Sequence, residues 1–292
     1  MSGFNTGINN IGSVSGFIIL LLVVMLQFVN YGLEMLKWRE TLPNEDWQLP
    51  KVTLLKAVYV GNSFAFVTPN RFGAFIGRFL IVNQMDKVVV TLSTFYGNFI
   101  QMCVTMLAGS LAVVLSIKSN LVYLPRWMET LGFKIALIGI TLLFVWMIFN
   151  MKIWLRLMEK LKWNFLLKNK EKWSFIGEYE RKTSIIMLLW ASCRYVVFCF
   201  QLFLIFIIFD VDLSVVDFCV FVGVLYLFTT FIPSVIASNV GTREAVALLL
   251  LSGLNQEAQI VLSTLVLWLV NMVLPALIGW LLLLKINPNK VS

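Results

Sequence analysis

The sequence predicts an all-α polytopic membrane protein with about five full spans and two broken, re-entrant helical hairpins in an inverted repeat. Three observations carry that prediction. Only 13% of the 292 residues are charged and 60% are apolar, where a soluble domain carries roughly 25% charged residues; the mean hydropathy is +0.88. Apolar runs long enough to cross ~30 Å of hydrocarbon recur along the chain. Two further runs are interrupted by Pro, Gly and Arg set close together, at residues 67–78 and 231–245. In lipid every free N–H and C=O needs a partner, so irregular backbone at membrane depth survives only where protein buries it or a wet cavity meets it. The charges in both breaks point the same way, because a charged group inside a bilayer costs at least ~2.5 kcal/mol and marks a substrate or ion path.

The formal charge of +8 does not indicate a nucleic-acid partner. The excess sits in loops beside apolar spans, where Lys and Arg report orientation and contact with anionic lipid, and no basic stripe lies on a soluble element. The four cysteines, Cys103, Cys193, Cys199 and Cys219, fall inside apolar spans without CxxC spacing, and the chain has no histidine to complete a zinc set. They read as packing residues. Without histidine the usual general base at neutral pH is missing, which lowers the expectation of an enzyme. No metal and no organic cofactor is expected.

In chain order, the first span runs from about Gly16 to Leu36, too long and without the small-residue cleavage pattern of a signal peptide. Lys37, Trp38 and Arg39 close it as an interface anchor. Glu40 to Lys51 is a short wet loop. The apolar segment from Val52 is cut at Pro69 to Gly73 and resumes to about Val82, giving pieces of roughly 16 and 11 residues, the second too short to span. Val88 to Ile117 is a long span whose Asn98 and Gln101 suit interhelical hydrogen bonds. Phe133 to Met151 is the next. Residues 152–182 carry nine Lys/Arg against four Glu, which the positive-inside rule puts in the cytoplasm as a connector or an amphipathic surface helix. Ser184 to Phe209 crosses outward with Arg194 deep inside it and ends at Asp210 and Asp212. Val215 to Phe231 enters again, breaks between Pro233 and Gly241, and returns over Ala245 to Leu251. The last span, about Ala258 to Leu284, contains Asn271, which also suits an interhelical bond, and Pro275; Lys285 and Lys290 put the C-terminus inside.

Counting crossings from the basic loop puts Asp210 to Ser214 outside, so residues 215–253 must leave from and return to the outer face as a hairpin. The upstream break is then a like hairpin dipping in from the inner face. Within one membrane domain, residues 16–117 and 184–284 thus match in opposite orientation, each reading span, broken hairpin, span, with 133–151 as the linking span. In transporters built this way the broken half-helices meet near the midplane, and their N-terminal N–H groups face an anionic ligand.

At the two breaks the sequence resembles the flippase-like membrane domain of the lysylphosphatidylglycerol synthase family, a group of bacterial and archaeal integral membrane proteins, over roughly residues 25–285. Downstream, Pro233 is followed after seven residues by Gly241-x-Arg243-Glu244-Ala245. Upstream, Pro69-x-Arg71-x-Gly73 is similar to the family's Pro-x-Arg-x-Gly-Glu. Ala74 stands where the family usually has Glu, so a carboxylate role there is either absent or moved to Glu244. The chain is expected to lack the soluble domain that loads lysine onto phosphatidylglycerol, and so not to be a lysyltransferase. The resemblance implies lipid handling, as a multi-pass protein of a bacterial inner membrane.

The substrate-binding residues expected are Arg71, Arg78, Arg194, Arg243 and Glu244. Guanidiniums grip phosphate bidentately, and Glu244 would orient Arg243 or exchange a proton. Plainer roles stand beside these: an internal Arg243–Glu244 ion pair tying the hairpin down, and Arg71 and Arg78 snorkelling to the interface. Pro69, Gly73, Pro233 and Gly241 mark the hairpin breaks. The function expected is that of a flippase-like transporter, which binds an anionic phospholipid or polyprenyl-phosphate headgroup between the hairpins and helps it cross the membrane. Two other classes remain open. One is a membrane-embedded lipid-phosphate transferase, which would want a divalent-metal carboxylate cluster. The other is a non-catalytic membrane partner of an envelope lipid or glycan assembly system; a homo-oligomer is open too.

Overall fold

A computed structural model of the chain describes residues 10, 12–43, 49–119, 121–160, 175–232 and 240–285, without the side chains of 158 and 159. The described residues form helices and connectors with no strand among them, and five of the helices are long and apolar enough to cross a membrane. The chain is a multi-pass membrane protein. Helix α1 spans Val14–Glu40, α2 Lys51–Val67, α3 Gly73–Ile81 and α4 Lys87–Leu115. A single turn, α5 (Arg126–Glu129), leads into α6 (Leu131–Phe149) and α7 (Met151–Lys160). Within the basic stretch, residues 161–174 lie outside the described residues. Helix α8 covers Arg181–Ile208, α9 Val215–Phe231, α10 Thr242–Leu250 and α11 Glu257–Leu284.

Several helices begin on polar caps that hydropathy does not see. Ser13 Oγ accepts the Gly16 N–H at 3.1 Å, the Asp86 carboxylate accepts the Val88 N–H at 2.7 Å, and Ser214 Oγ accepts the Asp217 N–H at 3.1 Å, each satisfying an orphan donor of the first turn. The outward faces are apolar: Phe17, Ile18 and Leu21 on α1 and Leu142, Leu143 and Trp146 on α6 are exposed, as lipid-facing side chains are.

The first break is a helical hairpin of unequal limbs, α2 and α3. Pro69 opens a 3₁₀ turn through Arg71, in which Asn70 and Arg71 both take positive φ, 49° and 60°. Asn tolerates that left-handed conformation; Arg adopts it at a cost. Thr68 stitches the break, its Oγ1 accepting the Gly73 N–H at 2.7 Å and donating to the Phe64 carbonyl at 2.9 Å, so backbone freed by the break finds partners inside the hairpin. The limbs meet backbone to backbone: a Cβ on Gly77 would lie 2.7 Å from Gly61 Cα. Gly77→Val is therefore expected to destabilise by ~1–3 kcal/mol, as overpacking does, read as a lower melting temperature in detergent. A melting temperature equal to that of the unchanged protein would contradict this packing.

The second hairpin has α9 and α10 as its limbs, and the expected break at Pro233 falls in residues 233–239, outside the described residues. Its downstream end is Gly241 at φ 84°, the N-cap of α10, a conformation that glycine adopts freely. The packing is crosswise. The long limb of the first hairpin, α2, lies on the final span α11, the long limb of the second, α9, lies on α4, and α1 pairs with α8 between them.

Helix α11 widens into a π-helix over Leu269–Val273. Pro275 offers no N–H to the Asn271 carbonyl four residues back. That carbonyl accepts from the Tyr31 hydroxyl at 3.3 Å, and the neighbouring Met272 carbonyl from Asn62 Nδ2 at 3.4 Å. The Asn271 amide donates to Gln201 Oε1 at 3.0 Å, an interhelical bond of the expected kind.

Candidate functional site

On α1, Gln27, Asn30, Glu34 and Lys37 recur at intervals of three and four and so share one helix face. All four are buried. Glu34 is the hub of a network of charges. It sits six residues, roughly 9 Å at 1.5 Å per residue, from the end of its helix. One oxygen takes Arg78 Nη2 at 2.7 Å, and the other takes Lys37 Nζ at 2.7 Å together with Arg194 Nη1 from α8. One carboxylate thus holds three cations.

Each cation is oriented by further contacts. Arg194 Nε donates to Asn30 Oδ1 at 2.8 Å and its Nη1 to Gln101 Oε1 at 3.2 Å, while Gln101 Nε2 donates to the Ala191 carbonyl at 3.2 Å. Arg78 Nη1 donates to Thr94 Oγ1 at 3.3 Å, and its guanidinium lies 4.6 Å over the Trp38 ring, a cation–π contact in a dry setting. Arg71 Nη2 donates to Asn62 Oδ1 at 3.1 Å. The left-handed backbone at Asn70 and Arg71 sets where that side chain starts.

These groups surround a cavity of about 570 Å³. Its walls include Tyr31 and Glu34 of α1, Asn62 of α2, Arg71 from the first break, Ala74 and Arg78 of α3, Asn98 and Gln101 of α4, Arg194 of α8, Tyr226 of α9 and Arg243 of α10. Both hairpins therefore reach the same space. Of the five residues expected to bind substrate, Arg71, Arg78, Arg194 and Arg243 come together there. Arg71 is exposed and Arg243 half-buried, while Arg78 is 5% exposed and does not snorkel.

Glu244 does not line the cavity. Its Oε2 accepts the Gly241 N–H at 2.6 Å, capping α10, and among the described residues no ion pair joins it to Arg243. The internal ion pair considered for these two residues is thus not formed among the described residues: Glu244 holds the helix start, and Arg243 lines the cavity with the other three arginines. The interface anchor expected at Lys37 and Trp38 also needs correction. Both side chains are 0% exposed, because Glu34 draws Lys37 inward and Trp38 lies under Arg78. Asn98, expected to bond between helices, contributes to the cavity wall instead.

The central residue that sequence reading did not single out is Glu34. Ala74 occupies the cavity wall where a family carboxylate is expected, and Glu34 brings a carboxylate to that space from a different helix. The periodic polar file at positions 27, 30, 34 and 37 inside an apolar span was the available signal. Neither a curated protein nor a solved structure matches the chain. Residues 3–279 match the family described as the lysylphosphatidylglycerol synthase TM region, and this polytopic helical protein, with its two Arg-bearing hairpins, belongs to that family.

Proposed function

We propose that the protein is a flippase-like lipid transporter that binds the anionic headgroup of a phospholipid or polyprenyl-phosphate lipid in the cavity between its two hairpins. The observation that carries this reading is the convergence of four guanidiniums, from three separate stretches of the chain, on one cavity among helices of a multi-pass membrane protein. Guanidinium forks match phosphate oxygens bidentately. The crosswise packing, in which each hairpin's long limb lies on the span that closes the other half, supports the inverted repeat on which rocking of one half against the other depends. Lipids retained after mild purification, identified by mass spectrometry, and scrambling of phosphorylated lipid in liposomes test the reading together. Arg71→Gly is an informative variant. It removes the charge but suits the left-handed backbone, so relief of that strain offsets the added freedom of the unfolded chain, and stability is expected to hold while scrambling falls. Scrambling at the unaltered rate would remove Arg71 from the site.

The same proposal sets the chain in a bacterial inner membrane, with residues 152–182 and the C-terminus cytoplasmic and residues 210–214 outside, as the nine Lys/Arg of the former favour. On a background without the four native cysteines, Lys170→Cys is expected to resist an impermeant thiol reagent in intact cells and to react after lysis. Labelling from outside would overturn this orientation.

A further inference from the structure

The cavity's charges do not balance. Arg71, Arg78, Arg194 and Arg243 line it, and arginine stays protonated in proteins. Among the described residues, the carboxylates near them are Glu34, inside the cluster, and Glu244, turned to its own helix start. Residues 233–239, outside the described residues, contain no charged side chain. Even leaving out Lys37, which lies behind Glu34, four guanidiniums face two carboxylates, an excess of two positive charges at a depth where unpaired charge is expelled. Two donors also lack acceptors: Arg78 Nε and Arg243 Nε are buried with no hydrogen-bond partner among the described residues, and a buried donor without a partner calls for a ligand or ordered water.

We infer that the cavity selects a dianionic phosphate group, a terminal phosphomonoester or a diphosphate, over the single negative charge of a phosphodiester headgroup. This rests on the headgroup reading proposed above and adds its charge requirement. A phosphodiester with one negative charge leaves one guanidinium uncompensated. A phosphomonoester, whose second ionisation lies near pH ~6, brings two charges at pH 8 and three terminal oxygens, enough acceptors for Arg243 Nε and a fork from Arg71, whose Nη2 alone is bonded to Asn62. Glu34 meanwhile holds Arg78 and Arg194 in place on its two oxygens.

The test is native mass spectrometry at pH 8 of the unaltered protein, released from a neutral detergent, with dioctanoyl phosphatidate, dioctanoyl phosphatidylglycerol, inorganic phosphate and pyrophosphate as separate probes. Phosphatidate is expected to bind about tenfold or more tighter than phosphatidylglycerol, the scale of one additional charged hydrogen bond. Arg243→Gln, which removes one excess charge without breaking a described ion pair, is expected to bring the two lipids close to parity. Equal affinities in the unaltered protein would overturn this inference and leave the headgroup site standing. Failure of every probe to bind folded protein would overturn the proposed function and this inference together. Phosphate or pyrophosphate binding as tightly as phosphatidate would uphold the two-charge preference and remove the lipid tail, and with it the proposed function.

Discussion

Glu34→Gln is expected to give the least stable single variant of the cavity. The substitution keeps the side chain's size but removes its charge and turns one of its two acceptor oxygens into a donor, while Lys37, Arg78 and Arg194 all rely on that carboxylate. Removing one partner from a buried ion cluster leaves the others uncompensated, which costs ~3–5 kcal/mol. A large fall in melting temperature and in yield of monodisperse protein is the expected reading. Glu34→Gln with Lys37→Met should recover part of the loss, because one of the stranded cations goes with it and neighbouring sites in one network do not add. A Glu34→Gln protein with unaltered melting temperature would show that the cluster does not depend on its carboxylate.

The second large effect is on binding. Arg194→Gln removes the guanidinium that ties α8 to Asn30, Glu34 and Gln101, but Glu34 retains Lys37 and Arg78. Stability is expected to fall less than in Glu34→Gln. Affinity for phosphorylated lipid should drop by ~1.5–3 kcal/mol, roughly ten- to a hundredfold, the worth of a charged hydrogen bond. Arg194→Lys should recover only part, since an ammonium supplies the charge without the planar fork. Unchanged lipid binding in Arg194→Gln would make Arg194 a structural tie between α1 and α8 and nothing more.

The fold was largely legible because lipid imposes simple rules. Span-length apolar runs, the Pro69–Gly73 break and the short limb after it come from what a bilayer tolerates, and the observed helices sit within a few residues of those runs. The offsets come from caps such as Ser13 and Asp86, polar residues that hydropathy reads as loop. The arginines of the site were legible for the same reason, as charges where none should be. Glu34 was not, because it lies near enough to Lys37 and Arg39 to pass for the charged rim of its span. Its burial depends on α3 and α8 closing over it, a tertiary fact. Glu244 misled in the opposite way: its place beside Arg243 suggested a pair, but consecutive helix residues do not face one another, and its carboxylate reaches back to Gly241 as a cap.

The proposed phosphate site between the two hairpins is open to a direct test by cryo-electron microscopy of the protein in phosphatidylcholine nanodiscs doped with phosphatidate. The predicted result is density for one phosphate within hydrogen-bond reach of Arg243 and of Arg71 or Arg194, in the cavity that Glu34 borders. A cavity holding only water, with phosphatidate confined to the lipid-facing surface, would contradict it.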